Sequence, residues 1–537
     1  MNENNETNFF NSVQAVDTLQ PDPQKKSGTT KLLIGVAAVC AVAAIAVAVK
    51  MTSTPDPKAT VEAAFTATAA QQKVAVEQIY QKIPAAKLLF EGRSGAATTD
   101  FDLAVKSVED NPYAAFANVI LKDAGIRGNI SSDPQQKTAA FSTAVYLKNS
   151  PMIEAHAYVS PELVVAGIPT FSQTVVAIDP TTFAQDYTAS ALNAVYPMDA
   201  ASLDMIQGMI SGEIDYINAV GSISSEKLLA DILPILKGAV ANATYTYDKQ
   251  SKKYVVDIPG EDFKRTVLDY YRYIYFESEF GTAMEKMMTS AAAASAGLTY
   301  EDMMNDVIAN IDESMPDVDA LLTLDIKNGL IKAANLTCTP VAPSETSSAP
   351  ESDVPEGTVT SFVLDCTFGD AANTAKLVMD VDDGTSMTVD AAGALAEDRY
   401  TLDMNVAVDS SSITFNMPMN LSVAADGAYN CTADMDISAG GEPVNAGFAF
   451  NGTARLEDDV LSLNLPDSRI YGSASSTASG ALVFDLNSTN APLTQALTAP
   501  ESTSLFALDA GQLEQLRDEY AVGYESLVGQ LFSLLMG

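Results

Sequence analysis

The chain carries a single histidine, His156. Any Ser-His or Cys-His site would therefore have to use it, because the base must reach the nucleophile through a hydrogen bond. His156 alternates with Glu154 and Tyr158, which reads as the polar side of a strand rather than a catalytic position. Ser224-Ser225-Glu226-Lys227 contains a Ser-x-x-Lys, the arrangement that places a lysine one helical turn beyond a nucleophilic serine. Its SDN and KTG companions are missing from the sequence, and Ser224 suits a helix cap instead. Asp380-Val381-Asp382-Asp383-Gly384 lacks the ligand spacing and closing glutamate of a calcium loop, so it reads as a hairpin turn. Glu277 and Glu279 are the carboxylates left for a hydrolase, with no partner geometry legible. No catalytic residue, metal ligand or cofactor is assigned.

One apolar set has binding rather than catalytic character. Tyr270, Tyr273, Met284, Met287, Met288, Met303 and Met304 fall on consecutive helical stretches. Thioethers deform readily and suit irregular apolar ligands, although core packing explains the same pattern. Helices lying across the hollow of a curved sheet would turn this set into a lipid-sized groove. Cys338 and Cys366 flank the segment 343–357 at nearly equal distances, which makes them the candidate disulfide if their strands pair as a hairpin; buried free thiols are the other reading. Asn-x-Ser/Thr triplets at Asn335 and Asn451 follow from the high Ser/Thr content.

The elements that must position these residues follow from periodicity. After Thr52-Ser53-Thr54-Pro55, Asp56 and Pro57 suit the N-cap and first turn of a helix, along which Val61, Phe65, Ala69, Val76, Ile79 and Ile83 recur until Pro84. Period-two runs dominate from about 86 to 182, and helical spacing returns over 188–238. Residues 244–247 and 254–258 form a hairpin around Asp248-Lys249-Gln250-Ser251, and Pro259-Gly260-Glu261-Asp262 opens a helix with acids in its first turn. From 318 to 498 the pattern is almost wholly β, and Asp383-Gly384 and Asp426-Gly427 mark tight turns. Leu513, Leu516, Tyr520, Tyr524, Leu527, Leu531 and Leu534 make one stripe of a C-terminal helix capped by Asp509.

Near the N-terminus, residues 32–49 are 18 uncharged residues bracketed by Lys31 and Lys50. As a helix they would rise roughly 27 Å, close to the depth of a hydrocarbon core. Thirty-one residues precede the run, long for a signal peptide, and Val39 before Cys40 does not suit lipidation. Lys25, Lys26 and Lys31 against Lys50 and Lys58 give a weak positive-inside bias with the N-terminus in the cytoplasm. The expectation is a single-pass cell-membrane protein with its C-terminal domain extracytoplasmic.

The expected fold class is α+β: an N-terminal transmembrane helix, then a mostly antiparallel β ectodomain, a large curved sheet or meander, with helices packed on one face. Its parts are a disordered cytoplasmic tail (1–31), the transmembrane helix (32–49), a linker and stem helix (50–85), an α+β region (86–317), an antiparallel β region (318–498) with a mobile loop at 343–357, and the C-terminal amphipathic helix (499–537). Acidic residues number 69 against 30 basic ones, a net charge of −39. Such an excess repels phosphate backbones, so no nucleic-acid partner is expected.

The plan of polar tail, Lys-bracketed span, Pro55-Asp56-Pro57-Lys58 stem and strand-rich region resembles uncharacterised single-pass membrane-anchored surface proteins of Gram-positive bacteria. Local matches are Ile178-Asp179-Pro180-Thr181-Thr182-Phe183 with Asp186-Tyr187, and Ile258-Pro259-Gly260-Glu261-Asp262. The resemblance implies location and no activity. A looser fold-level likeness is to the half-barrels of lipoprotein carriers. The resulting expectation is a non-enzymatic membrane-anchored protein, binding or scaffolding at the cell envelope, with an envelope protein or lipid as partner. The alternatives are a carrier of a lipid or other apolar ligand in a groove between sheet and helices, and third an envelope hydrolase.

Overall fold

The structure is a computed structural model. It describes residues 56–536 except 94, 149, 223–224, 279–280, 283, 286–298, 316–317, 341–358, 370–371, 382–383, 412, 440–441 and 476–477. The tail 1–31, the segment 32–49, the loop 343–357, Met287 and Met288 lie outside the described residues.

Two helices open the described chain, α1 (Pro57–Lys82) and α2 (Pro84–Glu91). The N-terminal strands are β1 (Ala97–Glu109), β2 (Gly125–Asp133), β3 (Thr138–Leu147), β4 (Ser150–Val159), β5 (Val164–Gly167) and β6 (Val176–Ile178), with α3 (Ala114–Leu121) after β1. Helices α4 (Phe183–Ala189), α5 (Ala191–Val195), α6 (Ala200–Ser222) and α7 (Ser225–Ala239) lead to the hairpin β7 (Thr244–Asp248) and β8 (Lys253–Ile258). Then come α8 (Gly260–Arg272), a π-helical turn (Tyr273–Glu277) and α9 (Tyr300–Ser314). The long strands are β9 (Val318–Lys327), β10 (Leu330–Pro340), β11 (Val359–Phe368), β12 (Ala372–Val381), β13 (Ser386–Ala396) and β14 (Arg399–Asp409). They continue as β15 (Ile413–Ala424), β16 (Ala428–Ala439), β17 (Glu442–Glu457), β18 (Val460–Ser475) and β19 (Ala478–Pro492), followed by β20 (Thr503–Ser504) and α10 (Ala510–Met536).

All twenty strands join one sheet. Strands β7 to β19 pair in chain order, β19 pairs with β1, and β1 to β6 continue to β20. Every pairing is antiparallel except the short β6–β20 contact. The β1–β19 ladder joins the N-terminal strands to the long C-terminal run of strands, from Ala97↔Pro492 to Glu109↔Ala481.

The apolar face of this sheet is covered by α1, which crosses it sideways. At 1.5 Å per residue its 26 residues extend about 39 Å, the width of about eight strands at 4.8 Å spacing. Its contacts step along the sheet in that order. Lys58 lies over Tyr245 of β7, Thr68 meets Ile331 of β10, Gln72 meets Asn373 of β12, and Lys82 reaches the carbonyl of Glu397 between β13 and β14. Val61, Ala64 and Phe65 are buried with Leu322, Leu324, Leu336, Leu364, Leu377 and Met379, the main core, which α8 and α9 complete. Farther along, Ile83 packs on Val423, and Ala85 of α2 packs on Ala454 and Leu461.

These observations correct the expected architecture. In place of an α+β domain behind a membrane helix, the described chain is one large, mostly antiparallel twenty-stranded sheet with few helices. Among the described residues no helix is long and apolar enough to cross a membrane. The single-pass anchor, its cell-membrane localisation and the membrane partner that rested on it are therefore not carried further. The helix expected as a stem is α1, which lies across the sheet with Val61, Ala64, Phe65 and Thr68 buried.

Candidate functional site

The sheet's second face is polar, and its side chains pair across strands in register. Asn335 donates to Asp365 at 2.7 Å, Ser361 to Asp380 at 2.7 Å, and Asn129 to Asp100 at 2.7 Å. Asn420 likewise meets Asp403, and Asn445 meets Asp436. Opposed amide and carboxylate groups satisfy one another and stabilise the ladder by about 0.2–1 kcal/mol a pair. They also leave free acceptor lone pairs and amide protons toward solvent.

A hollow of about 330 Å³ interrupts this face where β1, β17, β18 and β19 meet, lined by Asp110, Asn445, Arg469, Tyr471, Ser473 and Ser479 over Gly472 and Gly480. Arg469 pairs with Asp110, lies 3.9 Å from Glu109, and stacks 5.8 Å from the Tyr471 ring. Its Nε is buried with no hydrogen-bond partner among the described residues. The Tyr471 hydroxyl donates to Asp434, and that bond first, then burial, pushes its pKa up to about 12. Ser479 Oγ donates to the Asp110 carbonyl at 2.6 Å, and Asn111 Nδ2 donates to the Ser479 carbonyl at 3.1 Å, fixing the rim. Tyr471 lies flat over Gly447, its partner in register, where a Cβ would sit 2.6 Å from the hydroxyl.

A second cavity, about 160 Å³, lies on the other face between α1, α7 and strands β7 to β9. Val61, Phe65, Leu236, Val240, Val256 and Leu322 form its walls, and Lys58, Glu62, Lys237 and Tyr245 its mouth. Burial, with a smaller push from Glu62, raises the Tyr245 pKa to about 12.

The apolar set expected from the sequence is only partly assembled. Tyr270 packs against both the main core and the small cluster of Ile232, Leu236 and Tyr273, and the Tyr273 hydroxyl donates to Asp231 at 2.9 Å. Met284, Met303 and Met304 are half-buried, and no described member of the set lines the cavity under α1. Leu236 is the shared wall between the two.

The disulfide expectation is corrected. The register sets Cys338 opposite Phe362 and Cys366 opposite Ala334, four residues apart along the ladder, and both thiols are free. Four residues of strand is about 13 Å, well past the roughly 7 Å Cα limit for a bridge. His156 sits mid-strand in β4, between Ser142 and Gly167 in register. Glu277 is exposed on the π-helical turn, while Glu279 and Ser224 lie outside the described residues. Among the described residues no group of His, Cys, Asp and Glu is placed to hold a metal. The sequence reading missed Arg469 and Tyr471; the local signal was glycine, with Gly447 opposite Tyr471 and Gly472 paired with Gly480 in the floor of the hollow.

No family model matches the chain. No curated protein matches it either. Among solved structures, Wzi, an outer-membrane protein involved in group 1 capsule assembly in Escherichia coli and described as a carbohydrate-binding β-barrel, is similar at a TM-score of 0.22 and 6% identity, covering 87% of this chain and 98% of that one. Transferrin binding protein B from Haemophilus parasuis is similar at a TM-score of 0.09 and 7% identity, covering 74% of this chain and 77% of that one. Likenesses this slight carry no argument about fold or function.

Proposed function

We propose that this chain is a non-enzymatic binding protein that holds a neutral, hydroxyl-rich ligand on the polar face of its sheet, with the Arg469 hollow as the point of contact. The observation that carries the reading is the buried, unpartnered Nε of Arg469 beside an open polar hollow. An unmet buried donor costs about 1–3 kcal/mol, which a ligand oxygen would recover. The surroundings select the ligand's charge. Asp110, Asp434 and Asp436 crowd the hollow, and the net charge of −39 repels polyanions at longer range. Tyr471, Asn445, Ser473 and Ser479 supply a ring face, amide and hydroxyls, the groups that bind sugar-like hydroxyls. At about 330 Å³ the hollow sits at the low end of ligand-site volumes, about 300–1,000 Å³.

The test is a panel of neutral and acidic oligosaccharides against the full chain, with turnover of each measured in parallel. Binding of neutral members that falls at least tenfold in Arg469→Gln supports the reading. Binding of none, unchanged binding by that variant, or hydrolysis of any member overturns it.

A further inference from the structure

We infer that the cavity beneath α1 is a second binding site, separate from the outer-face hollow, and that it takes a small aryl or alkyl monocarboxylate. Its walls come from three elements that meet without filling the space. Val61 and Phe65 descend from α1, Leu236 from α7 and Val240 from the turn that follows it, and Val256 and Leu322 rise from β8 and β9. Four of these six, Val61, Leu236, Val256 and Leu322, are no more than 2% exposed, so the walls are set by the core and not by mobile surface chains. An apolar cavity of about this size stays dry and accepts a benzene-sized guest. The volume therefore sets the guest's apolar part at about one ring.

The mouth sets the polar part. Lys58 and Lys237 both stand there in a chain with 30 basic residues against 69 acidic ones. Neither has an ion-pair partner among the described residues; Lys58 rests over the Tyr245 ring at 5.5 Å. Glu62 opposes them with one carboxylate, leaving two ammonium groups to one acid around the opening. The Tyr245 hydroxyl stays protonated to high pH and is available as a donor. An anion one carboxylate wide satisfies the excess positive charge, whereas an amine would add a third cation. A long acyl chain does not fit the volume.

Calorimetric titration of the full chain with phenylacetate, 2-phenylethanol and phenethylammonium tests this. Phenylacetate is expected to bind about fivefold tighter than the alcohol, the advantage an exposed ion pair provides, and the ammonium compound weakest. The paired substitution Lys58→Gln and Lys237→Gln removes the preference for the acid while the alcohol still binds. Val240→Phe, which fills a half-buried wall, abolishes binding of both and leaves oligosaccharide binding unchanged. No phenylacetate binding, equal binding of acid and amine, a preference that survives the paired substitution, or undiminished binding in Val240→Phe each overturns the site.

Discussion

The backbone N–H of Ile331 donates to the hydroxyl of Thr68 at 2.8 Å, wholly inside the core. The reason lies in the sheet. Between Ile331 and Ala333 the β9–β10 register slips by one residue at a bulge, which takes a ladder partner from the strand. A buried N–H without a partner is costly, and α1 supplies the acceptor from 263 residues away. Thr68→Val keeps the shape and removes the acceptor. It is expected to lower the unfolding free energy by about 1–3 kcal/mol in urea titration, with Thr68→Ser losing less.

Phe65 is the deepest aromatic on α1 and belongs to the core shared with β8 to β13. Truncation to alanine removes that packing and widens the cavity beside it. Phe65→Ala is expected to cost about 3–5 kcal/mol, measured by the same titration. A loss below about 1 kcal/mol would mean that α1 is not integral to the core.

Much of the local structure is legible in the sequence. Asp56 accepts from the Lys58 N–H at 3.3 Å at the start of α1, and the hairpin of β7 and β8 turns where the polar run lies. What periodicity supplies is which side of an element is apolar, not what that side faces. Val61 and Phe65 mark a buried stripe equally well for a stem and for a strut across about eight strands. Arg469 and Asp110 are 359 residues apart and meet only because β1 pairs with β19, a non-local choice that no short pattern records. The cysteines fail on arithmetic of register. The hairpin is symmetric about position 350, from which Cys338 lies twelve residues back and Cys366 sixteen forward. Along α10, Leu527 is buried but Tyr524 of the same stripe is 61% exposed, since the helix touches the sheet only through part of its length.

Gly125 pairs in register with Tyr146, whose hydroxyl bends back to Asp102 at 2.9 Å. A Cβ at position 125 would stand 2.1 Å from the Leu103 carbonyl oxygen and 2.3 Å from the Tyr146 hydroxyl. Neither the backbone nor the hydrogen-bonded ring yields cheaply. Gly125→Ala is expected to destabilise by about 1–3 kcal/mol or more. Tyr146→Ala combined with it should recover only part of the loss, because the carbonyl clash remains; full recovery would contradict the geometry.

Burial raises the thiol of Cys338 to about 12 and that of Cys366, where Asp365 adds to the effect, to about 11. The reactive species is the thiolate, so both should resist alkylation in the native state at pH 8 and react on unfolding. Peptide mapping after iodoacetamide treatment reads each site separately, and native labelling of Cys338 would overturn the register that buries it. The same shifts predict a pH dependence of stability. Each thiol is held neutral in the fold while the unfolded chain releases its proton near the ordinary thiol value of 9.0. The folded pKa is the higher one, so the contribution is fully present below about pH 9 and is lost as pH rises toward the folded values. Urea unfolding should thus be nearly flat in this respect from pH 7 to 8.5 and weaken steadily above pH 9, and Cys338→Ala should flatten that alkaline slope.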